Sequence, residues 1–299
     1  MKKSGNTRIA IASTTLLALA SALATARADY TENLLAGWTF NNGNLTSDLG
    51  SIAAPVTFSE RNLSGDSANN TLTFDTITGT ASIGPGKELY TTAINSTDHP
   101  ELLAAVTIWV RVRFDGTLTN NGIFGLLKDP APKSSAEGVN NYSAAMGIGV
   151  PANRDIVFSA HGTAEGQDLY AFGRGSGHPT LPEAGGYVDL AFRVQDLGNT
   201  NSAYAEYLNG VSNGGTWGGT AYDLQSFAAF ALGRIKMDGG NAMTFDEVRI
   251  YAAYLTDEQL KAITPITPIV VPETASWTLM TSLAALTAAA LSRAQRNNR

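Results

Sequence analysis

Cysteine is absent from the 299-residue chain, histidine occurs three times, and charged residues make up only 15% of it. Without thiols there is no disulfide framework, no thiolate metal site and no cysteine nucleophile, so stability must come from core burial, bound ions or assembly. His99, His161 and His178 fall in no H-E-x-x-H pattern, which argues against zinc, and each reads as a loop or surface histidine. No G-x-S-x-G elbow occurs, and GRGSGHP, which only looks similar, reads as a loop. Gly147 to Ala152, GIGVPA, has the spacing G-x-G-x-x-A, but Pro151 and the β-rich run behind it deny the helix N-terminus that would hold a pyrophosphate. Basic residues are also few. Of the 20, seven lie at the two ends and 13 face all 26 acids in between, leaving that body at about −13. Such a body repels phosphate backbones, so no nucleic-acid partner is expected.

The ends have their own patterns. Lys2, Lys3 and Arg8 precede an apolar run to Leu23, and Ala26-Arg27-Ala28 offers small residues at the two positions a signal peptidase reads. Residues 1–28 therefore read as a secretory signal cut after Ala28; the competing reading, a membrane anchor, needs roughly 20 apolar residues and the run is shorter.

Residues 29–264 form one body, long enough for one large all-β domain. Thirteen strand-like runs, from LLAGWTF to MTFDEVRIYAAYL, alternate with short polar separators and predict a sandwich. Val106, Ile108, Val110, Val112 and Phe114 share one face against Thr107, Trp109, Arg111 and Arg113; Val188, Leu190, Phe192 and Val194 likewise oppose Tyr187, Asp189 and Arg193. In the last run, parity sets Asp246, Val248 and Ile250 against Phe245, Glu247, Arg249 and Tyr251, with the Asp-Glu pair read as structural. Asn209-Gly210 predicts a two-residue hairpin turn. Thr256 with Gln259 predicts a capping box for one short helix after the last strand.

Three stretches carry a resemblance: LLAGWTFNNGNLTSDLG, VTIWVRVRFDGT and above all MTFDEVRIYAAYLTDEQLKAI, with YLNGV as a fourth. They resemble the opening, central and closing strands of laminin-G-like domains, which implies a two-sheet antiparallel jelly-roll sandwich of the concanavalin A-like kind. That fold hosts lectins, hydrolase modules, adhesion domains and passive spacers, so it implies no single function. A retaining glucanase of this fold would show Glu-x-Asp-x-x-Glu on one strand, and no such run occurs. Calcium is the cofactor the resemblance implies; the loops around Asp48, Asp66 and Asp75 hold suitable oxygens, but none has an EF-hand spacing and the ligands stay unassigned. For sugar stacking, Trp109, Trp217 and Tyr187 are the candidate ligand-binding residues, each with packing as the competing reading. No catalytic residue is assigned.

Pro265, Pro268 and Pro272 make 265–274 an extended linker. Residues 275–292 read as a hydrophobic helix: Ala275 to Leu291 is uncharged, about 26 Å as a helix and just adequate for a thin bilayer. A docked amphipathic helix is the alternative, against which stand Trp277 at one end and the basic tail 293–299 at the other. With Pro272, Glu273 and Thr274 ahead, the whole tail resembles a PEP-CTERM sorting signal, in which Thr274 stands where the second proline is expected. That resemblance implies reading by an exosortase-like protease, transient membrane anchoring, and delivery to the cell surface or extracellular matrix. The sequence thus predicts a noncatalytic exported surface or matrix protein with a possible glycan or matrix-polysaccharide partner. The alternatives are a secreted polysaccharide-active enzyme of the same fold and a passive structural matrix protein.

Overall fold

The computed structural model describes residues 29–62, 71–115, 121–127, 144–150, 157–160, 170–172, 181, 185–198, 201–218, 226–233, 242–263 and 265. In chain order they form β1 (Leu34–Trp38), β2 (Ser59–Asn62), β3 (Leu72–Asp75), β4 (Thr80–Ile83), β5 (Lys87–Thr91), α1 (Glu101–Ala104), β6 (Ala105–Phe114), β7 (Asn121–Leu127) and β8 (Ala144–Val150). There follow β9 (Val157–Ala160), β10 (Tyr170–Phe172), β11 (Val188–Gly198), β12 (Asn201–Leu208), β13 (Val211–Gly218), β14 (Ala229–Leu232), β15 (Met243–Tyr251) and α2 (Asp257–Ala262). The chain divides into two units, Met1–Ile266 and Thr267–Arg299, and the second lies outside the described residues. So do the signal 1–28 with Ala26 and Ala28, the processing residues Pro272, Glu273 and Thr274, and the helix expected over 275–292. Among the described residues no helix is long and apolar enough to cross a membrane.

Two antiparallel sheets account for these strands. The first runs β13-β12-β11-β6-β15-β4-β3, with β1 also on β15; the second runs β10-β9-β8-β7-β14-β5-β2. Period-2 alternation explains why they face each other. Val106, Ile108, Val110 and Val112 of β6 and Leu190, Phe192 and Val194 of β11 meet Leu89, Phe124, Leu126, Phe230 and Leu232 of the second sheet in one buried cluster. Trp38 is fully buried there, 4.4 Å from the Phe58 ring centroid, and its indole N–H donates to the carbonyls of Leu45 and Val56 at 3.1 Å each. Both carbonyls belong to the loop behind β1, so one core side chain also orders that loop. Gly50 is needed in it: its φ is +111°, and a Cβ there would sit 2.3 Å from the Leu35 carbonyl oxygen.

Local signals held where they were local. The β12–β13 hairpin turns on Asn209 and Gly210, at φ 47° and 94°, and brings Leu208 opposite Val211. Two strands had no clear sequence signal: β4, a polar TASI, and β13, whose glycines and Asn213 hide a strand that the hairpin aligns on β12. A second helical turn, α1, also went unpredicted; it is four residues long, follows Pro100 and buries Leu102. The predicted parity of the closing strand is corrected. A register shift between Phe245 and Glu247 puts Phe245, not Asp246, with Val248 and Ile250 in the core. A β-bulge of this kind turns one residue out of the alternation. Asp246 instead reaches Arg111 and Glu247 reaches Arg249, both on the outer side, so opposite-face parity no longer separates the two carboxylates.

Candidate functional site

The outer face of the first sheet is divided into a covered end and an open one. The cover is α2, held by the predicted capping box: the Thr256 hydroxyl accepts from the Gln259 N–H at 3.2 Å and the Gln259 amide oxygen from the Thr256 N–H at 2.7 Å. Leu255, Leu260 and Ile263 then pack with Leu34, Trp109, Ala191, Tyr207 and Tyr251. Arg193, 5% exposed, ties the helix down by donating to the Leu255 carbonyl at 2.5 Å, to the Ser212 hydroxyl at 2.9 Å and to Asp257.

This placement settles where Trp109 sits. It is 1% exposed, beneath α2 and 5.7 Å from the Arg249 guanidinium, so the sequence-based stacking candidate is corrected to a core residue. Past Trp109, the outward residues Arg111 and Arg113 of β6 are partly exposed.

Asp257 links the cover to pH. Burial pushes its carboxyl up, but hydrogen bonds from Ser212 and Arg193, with the charges of Arg193 and Lys261, outweigh that and hold it below its ordinary value. A lowered folded value stabilises the fold above the unfolded carboxylate range, near 4, and the gain is lost as pH falls through the folded value. The stability advantage of the native protein over Asp257→Asn, measured by urea unfolding, is expected to be full at pH 7 and to shrink progressively as pH falls below the unfolded carboxylate range, near 4. An advantage that does not change at all between pH 7 and the acid limit of the folded protein would show that Asp257 acts without its charge.

The open end gathers Tyr187, Arg111, Arg113, Asp115, Asp189 and Asp246. Arg111 lies directly across from Asp189 in the β6–β11 ladder and bridges two carboxylates, Asp189 at 2.9 Å and Asp246 at 3.0 Å. Arg113 pairs with Asp115 at 2.6 Å and donates to the Thr244 hydroxyl at 3.2 Å, and that hydroxyl is 2.7 Å from Ser82 Oγ. The Tyr187 ring lies 5.6 Å and 5.3 Å from the two guanidinium carbons, a cation–π arrangement on both. The side chains of Arg111 and Asp189 are each 30% exposed and that of Arg113 is 37% exposed, so a ligand can reach them. Burial pushes the Asp246 carboxyl above its ordinary value; Arg111 opposes this and the Asp189 charge adds to it. Burial likewise raises the Tyr187 phenol against the pull of Arg113.

Of the two stacking candidates whose side chains are described, Tyr187 joins a solvent-reachable polar cluster and Trp109 does not. Trp217 is placed as a strand position opposite Ser202 in β13, and its side chain lies outside the described residues. Strand parity had already turned Arg111, Arg113, Tyr187 and Asp189 outward together, whereas Asp246 was hidden by the bulge.

The calcium loops give a different result. Asp48 is engaged by the N–H of Thr39 at 3.0 Å and by its hydroxyl, and Asp75 accepts from the N–H groups of Ile77 at 2.9 Å and Thr78 at 3.3 Å. These carboxylates close their own loops rather than converge; Asp66 and the histidines His161 and His178 lie outside the described residues. His99 is 3.2 Å from Glu101 beside α1. Among the described residues no group of three or more acidic or histidine side chains is placed to hold a metal ion.

No protein-family model and no curated protein matches the chain. Solved structures do. The chain is similar to domain 4 of AbnA, an extracellular arabinanase from Geobacillus stearothermophilus solved with arabinotriose, at 19% identity and TM-score 0.49 over 78% of this chain and 98% of that one. It is also similar to the binding domain of botulinum neurotoxin DC, solved with SialylT, at 12% identity and TM-score 0.51 over 79% of this chain and 53% of that one. The same domain with rat synaptotagmin II gives 12% identity and TM-score 0.52 over 78% and 51%. The chain spans about half the length of the neurotoxin chains it matches. At these identities the likeness shows the fold alone: a sandwich of two antiparallel β-sheets.

Proposed function

We propose that the protein is a noncatalytic, exported sandwich of the laminin-G-like, concanavalin A-like jelly-roll class that binds an uncharged glycan at the open end of its first sheet. The observation that carries the reading is the Arg111 cluster: guanidinium donors and carboxylate acceptors alternate around Tyr187 within reach of solvent. Sugar hydroxyls both donate and accept, and an aromatic flank suits a pyranose. The two arginines face three aspartates there, so the cluster repels rather than attracts an anionic sugar. A binding domain of similar fold solved with SialylT supports glycan binding by such a sandwich in general, and the preference for an uncharged glycan rests on the charge of the cluster alone.

The tail extends the proposal to location. The A-x-A site at Ala26 and Ala28, followed at the other end by Pro272-Glu273-Thr274, an uncharged run and arginines, supports export and sorting by an exosortase-like protease to the surface or matrix. In that reading the hydrophobic segment anchors the protein to the membrane only until processing.

A glycan array probed with the full-length protein, with and without calcium, tests the binding. Neutral glycans should bind ahead of uronates and sialosides, and Tyr187→Ala should weaken the best ligand about tenfold, a loss of about 1.4 kcal/mol with the aromatic flank removed. Silence under both conditions would sink the glycan reading. One observation favours the enzyme alternative, the raised carboxyl of Asp246 beside Asp189. Release of reducing ends from a polysaccharide by the native protein, abolished in Asp246→Asn, would put that alternative first.

A further inference from the structure

The first described residues do more than lead into β1. Asn33 adopts a left-handed conformation, φ 59°, which reverses the chain so that residues 29–32 fold back over the outer face of the first sheet. The turn is fixed on both sides: the Leu34 N–H donates to the Thr31 carbonyl at 3.1 Å and the Ala252 N–H to the Asn33 carbonyl at 3.0 Å. Asp29 then receives a hydrogen bond from Arg249 Nη1 at 2.6 Å, and the Tyr30 carbonyl receives one from the Tyr251 hydroxyl at 3.0 Å. Beyond them, the Gln259 amide of α2 donates to the Tyr30 hydroxyl at 2.8 Å.

Gln259 is the same residue whose side-chain oxygen closes the capping box. Its two ends therefore join the start of α2 to Tyr30, more than 220 positions earlier in the chain. Arg249 is fully buried, and Asp29 and Glu247 are carboxylate partners of it. A charge so placed needs its counterions, which gives the Asp29 contact more weight than a surface pair would have.

We infer that Asp29 and Tyr30 form a strap that holds α2 closed over Trp109, so that the N-terminal segment and the helix leading to the C-terminal linker are fastened as one unit. The strap is a conformational device: its loss loosens α2 while the second sheet stays folded. It also matches the A-x-A pattern, because a cut after Ala28 leaves the strap complete and one two residues later removes it. The inference stands independently of glycan binding, since no residue of the Arg111 cluster touches the strap among the contacts described.

Hydrogen exchange followed by mass spectrometry tests it, in the full-length chain carrying Asp29→Ala and Tyr30→Ala together. Peptides covering 257–263 should exchange at least tenfold faster than in the native protein, while those covering 229–232 remain unchanged. Unchanged exchange at 257–263, or acceleration of both regions in step, would overturn the strap. Should the double variant fail to fold, Tyr30→Phe serves instead, since it deletes only the hydroxyl that Gln259 reaches. A few-fold acceleration confined to 257–263 is the expected result, and no local change would overturn the inference.

Discussion

Arg249→Met should lower the unfolding free energy by about 3–5 kcal/mol, the cost of stranding a buried carboxylate. Arg249 is 0% exposed and Glu247 1%, their contact is 2.5 Å, and the bulged closing strand places both on the outer side beneath the strap. Burial on its own disfavours the guanidinium charge, but Glu247 and the Tyr251 hydroxyl overcome it and hold the arginine above its ordinary value. Burial also pushes the Tyr251 phenol up to about 12, so this hydroxyl stays a donor to the Tyr30 carbonyl at physiological pH. Removing the arginine takes from Glu247 the guanidinium that compensates the burial of its carboxylate.

The double variant Glu247→Leu with Arg249→Met is the informative partner. Buried pairs exchanged together for apolar residues of similar volume are often neutral in stability, so most of the single-variant loss should return. Urea unfolding of the two singles and the double measures this coupling. A double variant as unstable as the sum of the singles would mean that the site depends on the two charges for more than their mutual neutralisation, with Asp29 the next residue to vary.

Much of this arrangement was legible, and the part that was not has a common cause. The Asn209-Gly210 turn and the Thr256 capping box are contained within a few residues, and the structure reproduces both. The alternation of β6 and β11 followed from side-chain period alone and correctly divided core from outer face. The bulge at Asp246 was not legible, because it is a property of β15 against its neighbour β6 and leaves no mark in the strand's own composition. The open cluster suffered for the same reason: Arg111, Arg113 and Tyr187 could be turned outward from parity, but the second carboxylate on Arg111 depends on that bulge. The strap was further out of reach, since Asp29 and Arg249 meet only after the whole sheet has assembled.

Trp109 is where the same limit matters most for function, and Trp109→Ala should cost about 3–5 kcal/mol, as large-to-small changes at fully buried aromatics do. Its strand neighbours across the sheet are Ala191 and Arg249; the alanine leaves room for the indole and the arginine lies over its ring. Truncation therefore opens a cavity bounded by Leu255 and Leu260 of the cover and also removes a cation–π contact from a buried guanidinium. Trp109→Phe should cost less, because it keeps a ring under Arg249 and a smaller void. The two readings of this residue separate cleanly once stability and binding are measured on the same samples. If Trp109 is a core residue, Trp109→Ala lowers the thermal midpoint but leaves glycan affinity per folded molecule within about twofold of native, whereas Tyr187→Ala weakens affinity and leaves the midpoint near native. Loss of affinity in Trp109→Ala at a temperature where the protein remains folded would move the binding site to the covered end and require α2 to open before ligand enters.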